Sequence, residues 1–170
     1  MKRGIRMQIE KITKPAQTIV SMSAHLSREH IPHYIGTSFV DLLEYIQKND
    51  AELIGTPFIS YLNLDDKGQP RDELLDVEIG FPINKEIPST EKYQSYELPS
   101  YQAVRTLYVG DYEDLTASYE ELIEAIKQEN GIFTFRSYEY FLTDASVPLD
   151  DQETMIELTY RPKRKDLLHA

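Results

Sequence analysis

Apolar residues recur at helical spacing in two separate segments of the chain. The first covers about residues 30–49, where Pro32 suits the first turn of a helix. Its apolar stripe follows i, i+4, i+7, i+8, i+11 and consists of Ile35, Phe39, Leu42, Leu43 and Ile46. The second runs from Asp111 or Asp114 to about Asn130. Its stripe lies 80 residues further on (115 − 35 = 80), at Leu115, Tyr119, Leu122, Ile123 and Ile126. The pattern therefore predicts two equivalent amphipathic helices.

Short apolar and alternating stretches around these helices predict β-strands. They cover residues 7–12, 17–26, 55–63, 74–84, 101–109, 135–143 and 154–162. Polar segments at 64–73 and 144–153 contain proline and separate the last two predicted strands of each half, which is typical of surface loops.

The strands repeat along the chain as the helices do. "DVEIGF" at 76–81 aligns with "MIELTY" at 155–160, an offset of 79 residues (155 − 76 = 79). Two copies of a β-α-β-β unit result, and one copy alone buries little apolar surface. We therefore expect an α+β fold in which both copies share one mainly antiparallel sheet, with both helices on one face and a ligand groove at the pseudo-two-fold.

This duplication also predicts the domain organisation. A single domain is expected over residues 7–162, with halves at about 7–84 and 93–162 and a tail at 163–170.

Alternation then predicts which side chains share a face of the sheet. The same offset maps Ile59 and Tyr61 onto Tyr138 and Tyr140. The set expected beneath the helices is Ile59, Tyr61, Val77, Ile79, Phe81, Tyr138, Tyr140, Ile156, Leu158 and Tyr160. The set expected on the opposite face is Phe58, Ser60, Leu62, Glu78, Ser137, Glu139, Phe141 and Glu157. Because this second set mixes aromatics with carboxylates, it is the candidate groove.

Composition narrows the possible functions. The chain lacks cysteine, so disulfides, thiolate metal sites and cysteine nucleophiles are excluded. A net charge of −11 argues against direct nucleic-acid binding. No apolar run is long enough for a membrane span, and no secretory signal is evident, so a cytoplasmic location is expected.

Candidate chemistry centres on "FRSYEYFLT", residues 135–143, where Glu139 stands among four aromatics. A carboxylate partly desolvated among rings can pair with a cationic ligand, and the rings add cation–π attraction. The same surroundings suit general acid–base work. The alternative is a solvated strand glutamate, which is common on antiparallel sheets.

Several motifs together resemble the GyrI-like small-molecule-binding domains, which also occur as effector-binding halves of AraC-type and MerR-type multidrug regulators. They are "GTPFISY" after the first helix, "VGDYEDL" before the second, and "YEYFLTD" followed by "IELTYRP". Gly110 and Tyr112 resemble the family's Gly-Pro-Tyr turn, with Asp111 in place of proline. Glu139 falls at the family's characteristic glutamate. The position of Glu157, five residues before Pro162, departs from the pattern.

The resemblance implies an aromatic groove between two pseudo-symmetric halves, with a glutamate that recognises positively charged or polarised ligands. It further implies three alternatives for a stand-alone member. They are binding or sequestration of small hydrophobic molecules, hydrolysis of electrophilic cyclopropane-type genotoxins with the same glutamate, and modulation of a protein partner such as DNA gyrase. We recognise no helix-turn-helix segment in the chain, which favours this stand-alone group.

The remaining candidates follow from the repeat and the resemblance. Phe58 and Phe141 are placed beside Glu139 by alternation, whereas the family pattern favours Tyr61 although alternation points it under a helix. Tyr112 can close one end of the groove, and Tyr108 is a weaker candidate. Two repeat-related carboxylates, Glu78 and Glu157, either flank the groove or are solvated.

A metal or cofactor is not expected. His25, His30 and His33 lie close in sequence, but Pro32 falls between the last two and no further ligand has suitable spacing. Phosphate-loop, dinucleotide and nucleophile-elbow motifs are also lacking.

Overall fold

The structure is a computed structural model that describes residues 5–6, 8–111, 115–144 and 146–163. The two helices are α1 (Ile31–Lys48) and α2 (Thr116–Gln128). Proline lies in the first turn of α1, and the short 3-10 turn Arg28–His30 precedes it. After α2 the chain turns through Asn130, whose φ of 55° is left-handed, and Gly131 begins the next strand. The predicted helices therefore match the observed ones to within a few residues. The main difference is that the second helix begins at Thr116 instead of at Asp111 or Asp114.

Nine strands within the described residues form one sheet. They are β1 (Ile5–Arg6), β2 (Glu10–Lys14), β3 (Gln17–Ser27), β4 (Phe58–Tyr61), β5 (Leu74–Pro82), β6 (Gln94–Leu98), β7 (Tyr101–Val109), β8 (Gly131–Phe141) and β9 (Glu153–Pro162). The sheet order is β1-β7-β9-β8-β4-β5-β3-β6, and β2 also pairs with β7. All pairs are antiparallel. The predicted α+β fold is confirmed, while β6 lies in a segment to which no element was assigned from the sequence.

The two halves of the sheet meet where β4 pairs with β8. Each helix covers its own half on the same face of the sheet. The cluster under α1 contains Leu42, Ile46, Ile59, Val77 and Ile79, and that under α2 contains Leu122, Ile126, Val104, Ile156 and Leu158. A third cluster lies on the opposite face, where Phe58, Tyr138 and Tyr140 pack with Ile19 and Leu98.

The faces predicted for β8 were wrong. Across the β4–β8 pair, Ile59 lies opposite Glu139, and Phe58 lies opposite Tyr140. Glu139 and Phe141 therefore point to the helix side, whereas Tyr138 and Tyr140 belong to the opposite face. The offset of 79 suits the last strand of each half but is one residue wrong for the middle strand, and a one-residue slip moves every side chain to the other face.

Candidate functional site

A cavity of about 370 Å³ opens on the helix side of the sheet. The ends of both helices, one loop and three strands surround it. Its lining residues are Arg28, Glu29, Ile31, Pro32, Tyr61, Leu64, Gly68, Gln69, Pro70, Leu75, Leu115, Thr116, Tyr119 and Glu139. Because α1 and α2 belong to different halves, the cavity lies between the two copies of the repeat, and its volume suits a small organic molecule.

Glu139 is the buried charge of this cavity, with 3% of its surface exposed. Its neighbours across the sheet are Ile59 on β4 and Ile156 on β9, both fully buried. The carboxylate therefore stands in an apolar strip of the sheet. Charges in such surroundings interact over longer distances than they do in water.

Tyr119 on α2 holds the carboxylate in place. Its hydroxyl lies 2.5 Å from Oε2 of Glu139 and 2.8 Å from Oγ of Ser137. A phenol has one proton to donate, and the carboxylate is the stronger acceptor. The phenol oxygen is also within hydrogen-bonding distance of Ser137 Oγ, so the three side chains form a hydrogen-bonded chain Ser137–Tyr119–Glu139.

The electrostatics of this chain keep Tyr119 protonated. Burial raises the pKa of the Tyr119 hydroxyl well above its usual value, and the negative charge of Glu139 raises it further. The hydroxyl is therefore a donor toward the carboxylate over the whole physiological pH range.

The loop between β4 and β5 closes one side of the cavity. Gly68 has a φ of 77°, and a Cβ at this position would meet the Tyr119 ring at 3.2 Å. Glycine is thus required here by both the backbone conformation and the close approach. The exposed residues Arg28 and Glu29 also line the cavity, just before the chain enters α1. Polar groups consequently mark the rim, while the walls are mostly apolar.

The structure brings together only some of the residues singled out by the sequence. Tyr61 and Glu139 line the cavity. Phe141 shares their face of the sheet but packs on Phe39, with ring centroids 5.7 Å apart. Tyr108 is buried in the core under α2, and Phe58 lies in the cluster on the opposite face. Tyr112 lies outside the described residues.

Glu78 and Glu157 lie on the face of the sheet opposite the helices. Neither residue lines the Glu139 cavity, and neither is exposed to solvent. Glu78 accepts hydrogen bonds from Ser21 at 2.7 Å and Tyr96 at 2.5 Å, and pairs with Arg136 at 2.7 Å. Glu157 accepts from Tyr101 at 2.6 Å and lies 3.4 Å from the Lys14 ammonium. Both carboxylates therefore lie on the predicted face of the sheet but away from the Glu139 cavity, and the solvated alternative was wrong.

Several residues of the cavity were not predicted from the sequence. Tyr119 was assigned to the core because it belongs to the apolar stripe of α2, and Gly68, Gln69 and Pro70 were assigned to a surface loop. The hydroxyl of Tyr119 was the available hint, since a stripe otherwise made of Leu and Ile contains one polar atom that needs a partner.

The described parts of the chain contain neither a cluster of metal-ligand side chains nor a membrane-spanning helix. There, no three His, Asp or Glu side chains converge as metal ligands would. His25 contacts Asp76, and His30 contacts Ser27. The described helices include none with the length and apolarity to cross a membrane.

The sequence matches the model of one protein family over nearly its whole length. The family model of the GyrI-like small molecule binding domain matches residues 7–160. The chain belongs to this family. The buried Glu139, between the two pseudo-symmetric halves, thus belongs to a GyrI-like small-molecule-binding fold. No curated protein matches the sequence significantly.

Solved structures share this fold at low sequence identity. EcmrR in its DNA complex superimposes with a TM-score of 0.77 and 17% identity, covering 92% of this chain and 58% of EcmrR. The GyrI-like chain thus spans little more than half the length of that relative. SAV2435 bound to tetraphenylphosphonium gives a TM-score of 0.62 and 14% identity, covering 96% and 100% of the two chains. A hydrolase from Listeria innocua gives 0.59 and 11%, covering 91% and 92%.

Proposed function

We propose that the Glu139 cavity binds lipophilic organic cations. The observation that carries this proposal is a carboxylate, 3% exposed, at an apolar cavity of about 370 Å³. A cation entering the cavity approaches Glu139 through apolar surroundings, where water screens the attraction less than it does at an exposed surface.

The walls suit the apolar part of such a ligand. The rings of Tyr61 and Tyr119 line the cavity together with Leu64, Leu75 and Leu115. Apolar walls favour aromatic or aliphatic substituents, and a tyrosine ring facing a cation adds about 0.5–2 kcal/mol. The tetraphenylphosphonium bound by SAV2435 has this combination of features, which supports the proposal for this fold.

The direct test measures tetraphenylphosphonium binding by calorimetry in the wild type and in Glu139→Gln. The amide keeps the shape of the side chain and removes its charge, so we expect a loss of about 1–3 kcal/mol, or roughly 10- to 100-fold in Kd. Neutral triphenylphosphine oxide should bind both proteins about equally, because its binding depends on the walls alone.

Glu29→Gln is the matched control, since it makes the same charge change at the exposed rim of the same cavity. It should alter the Kd by less than about threefold, because exposed charges are well screened. Equal binding of tetraphenylphosphonium by Glu139→Gln and the wild type would contradict the proposal.

A second candidate function is hydrolysis of electrophilic, cyclopropane-type compounds, which the hydrogen bond of 2.5 Å between Tyr119 and Glu139 favours. Glu139 can accept a proton from an attacking water while the water oxygen bonds to a ring carbon and a strained C–C bond breaks, and it can then return this proton to the part of the compound that gained negative charge. Incubation of such a compound with a small molar fraction of protein, followed by mass spectrometry, distinguishes the two functions. Repeated addition of water, lost in Glu139→Gln, indicates hydrolysis, and recovery of unchanged compound indicates binding alone.

A further inference from the structure

A second cavity, of about 290 Å³, lies on the face of the sheet opposite the helices. Its lining includes Lys14, Gln17, Arg105, Tyr140, Met155 and Glu157. It shares no lining residue with the Glu139 cavity. The two cavities are therefore separate places for a ligand.

Glu157 is the buried acid of this second cavity, and its side chain has no exposed surface. Tyr101 donates to its Oε1 atom at 2.6 Å, and the same phenol oxygen lies 2.9 Å from the hydroxyl of Tyr140. One carboxylate oxygen is thus held by a tyrosine, while the other, Oε2, faces Lys14.

Lys14 occupies the place that a cationic ligand would take. Its ammonium lies 4.0 Å from the centre of the Tyr140 ring and 3.4 Å from Oε2 of Glu157. A carboxylate beside an aromatic face is a combination that recognises ammonium groups. The contact with Glu157 is loose, because charge-assisted N–H···O bonds are normally about 2.7–2.9 Å long.

The repeat supplies an internal comparison. Glu78, at the matching position of the first half, is held by three donors at 2.5–2.7 Å, one of which is the Arg136 guanidinium. Glu157 has one close donor, a distant ammonium and a cavity beside it. The carboxylate of Glu78 is thus enclosed by neighbouring side chains, whereas that of Glu157 retains room for another group.

Lys14 is placed where it can leave the cavity. It is the last residue of β2, and Pro15 follows it. Among the described strands, β2 pairs with β7 alone. About a quarter of its side chain, 23%, is exposed. A flexible four-carbon side chain at the end of an edge strand can turn to solvent without disturbing the sheet.

We propose that this second cavity binds a compact primary ammonium group, for which Lys14 is the resident substitute. An incoming alkylammonium ion takes the position between Glu157 and the Tyr140 ring, and Lys14 turns outward. The alkyl arm of the ligand then lies against Met155 and Leu142. Arg105, the other cation of the lining, lies opposite Glu157 in the β7–β9 pair, and its Nε is 3.4 Å from Oε1 of Glu10.

The wild-type protein provides the first test. Butylammonium chloride is titrated into protein with isotopically labelled tyrosine, and ring resonances are followed by NMR, with sodium chloride at equal ionic strength as the reference. We expect saturable shifts of Tyr101 and Tyr140 that disappear in Glu157→Gln and persist in Glu139→Gln. The persistence separates this site from the Glu139 cavity, and no saturable shift in the wild type would overturn the proposal.

Two variants of Lys14 test its role as the resident ligand. A tethered competitor acts at an effective concentration in the millimolar range, so its removal in Lys14→Ala should tighten butylammonium binding about tenfold. Lys14→Met removes the charge but keeps an apolar chain in the space, and should bind no more tightly than the wild type. Equal Kd values for Lys14→Ala and the wild type would overturn the displacement of Lys14.

Discussion

Tyr119 combines two roles at the scale of single residues. Its ring belongs to the apolar stripe of α2, which the 3.6-residue period predicts, and it is 7% exposed. Its hydroxyl crosses to the sheet and joins Ser137 to Glu139. Periodicity describes which face of a helix is buried, but a hydrogen-bond partner on another strand becomes known only after the elements are packed together.

Tyr119→Phe tests the hydroxyl alone. The substitution removes the hydroxyl that contacts both the buried Glu139 carboxylate and the buried Ser137, so we expect the free energy of unfolding in urea to fall by about 1–3 kcal/mol. Tyr160→Phe is the control, because Tyr160 also packs against the core under α2 but stands outside this hydrogen-bonded chain. Equal losses in the two variants would contradict the role given to the hydroxyl.

Strand β8 serves both faces of the sheet at the scale of elements. Ser137 and Glu139 lie on the face covered by the helices, whereas Tyr138 and Tyr140 belong to the aromatic cluster on the opposite face. The register with β9 shifts between Phe133 and Ser137, where Phe135 has a φ of 67°. Such a bulge bends a strand and increases its twist. The strand thus leaves the α2 core and enters the junction between the halves.

The β4–β5 pair depends on a glycine at one cross-strand position. Phe58 lies opposite Gly80, and a Cβ on Gly80 would come within 2.5 Å of the fully buried Phe58 ring. Gly80→Ala should therefore lower the free energy of unfolding by about 1–3 kcal/mol in a chemical denaturation measurement.

Gly36→Ala is the opposite case, since nothing lies within 4 Å of the added Cβ in the middle of α1. It should raise the free energy of unfolding by about 0.5–1 kcal/mol, because alanine favours helices.

A double variant tests the cause of the Gly80→Ala effect. Adding Phe58→Leu to Gly80→Ala should recover part of the lost stability. No recovery would mean that the Phe58 ring is not the cause.

Buried tyrosines make the whole molecule sensitive to alkaline pH. Burial raises the pKa of Tyr138 to about 12, and burial is also the main cause that raises the pKa of Tyr96, Tyr101, Tyr119 and Tyr140. Above the ordinary tyrosine pKa of about 10 the unfolded chain loses these protons and the folded one keeps them. The stability present below that pH should therefore fall steadily as the pH rises beyond it.

This prediction is checked by following urea midpoints across the alkaline range together with the ultraviolet absorbance of tyrosinate. A fraction of the 12 tyrosines should ionise only as the protein unfolds. Replacement of Tyr101 by Phe should make the decline less steep, because one group with a raised pKa is removed. Ionisation of all tyrosines before any loss of structure would contradict this account.

Acidic charge belongs to the molecular scale as well. The net charge of −11 favours the approach of cations to either cavity. Salt at about 0.1 M screens this attraction at distances beyond about 10 Å. An interaction with a protein partner such as DNA gyrase stays a prediction, since it depends on surface properties that neither cavity tests.

The sequence by itself determined the helices, the duplication, the mainly antiparallel sheet and the family resemblance, and these are confirmed. It also singled out Glu139 as the candidate charge. Such features follow from local spacing, since a helical stripe or an alternating run has one best interpretation along the chain.

Only the tertiary structure decided on which face of the sheet Glu139 lies and which residues surround it. Alternation assigns Tyr138 and Tyr140 to one face and Glu139 to the other, but it does not say which face meets the helices. That choice comes from cross-strand register and packing, in which Tyr119 reaches Glu139 while Phe58 and Tyr101 pack against Tyr138. The positions of Lys14 beside Glu157 and Arg136 beside Glu78 arise in the same way, because contacts between residues far apart in sequence leave no pattern along the chain.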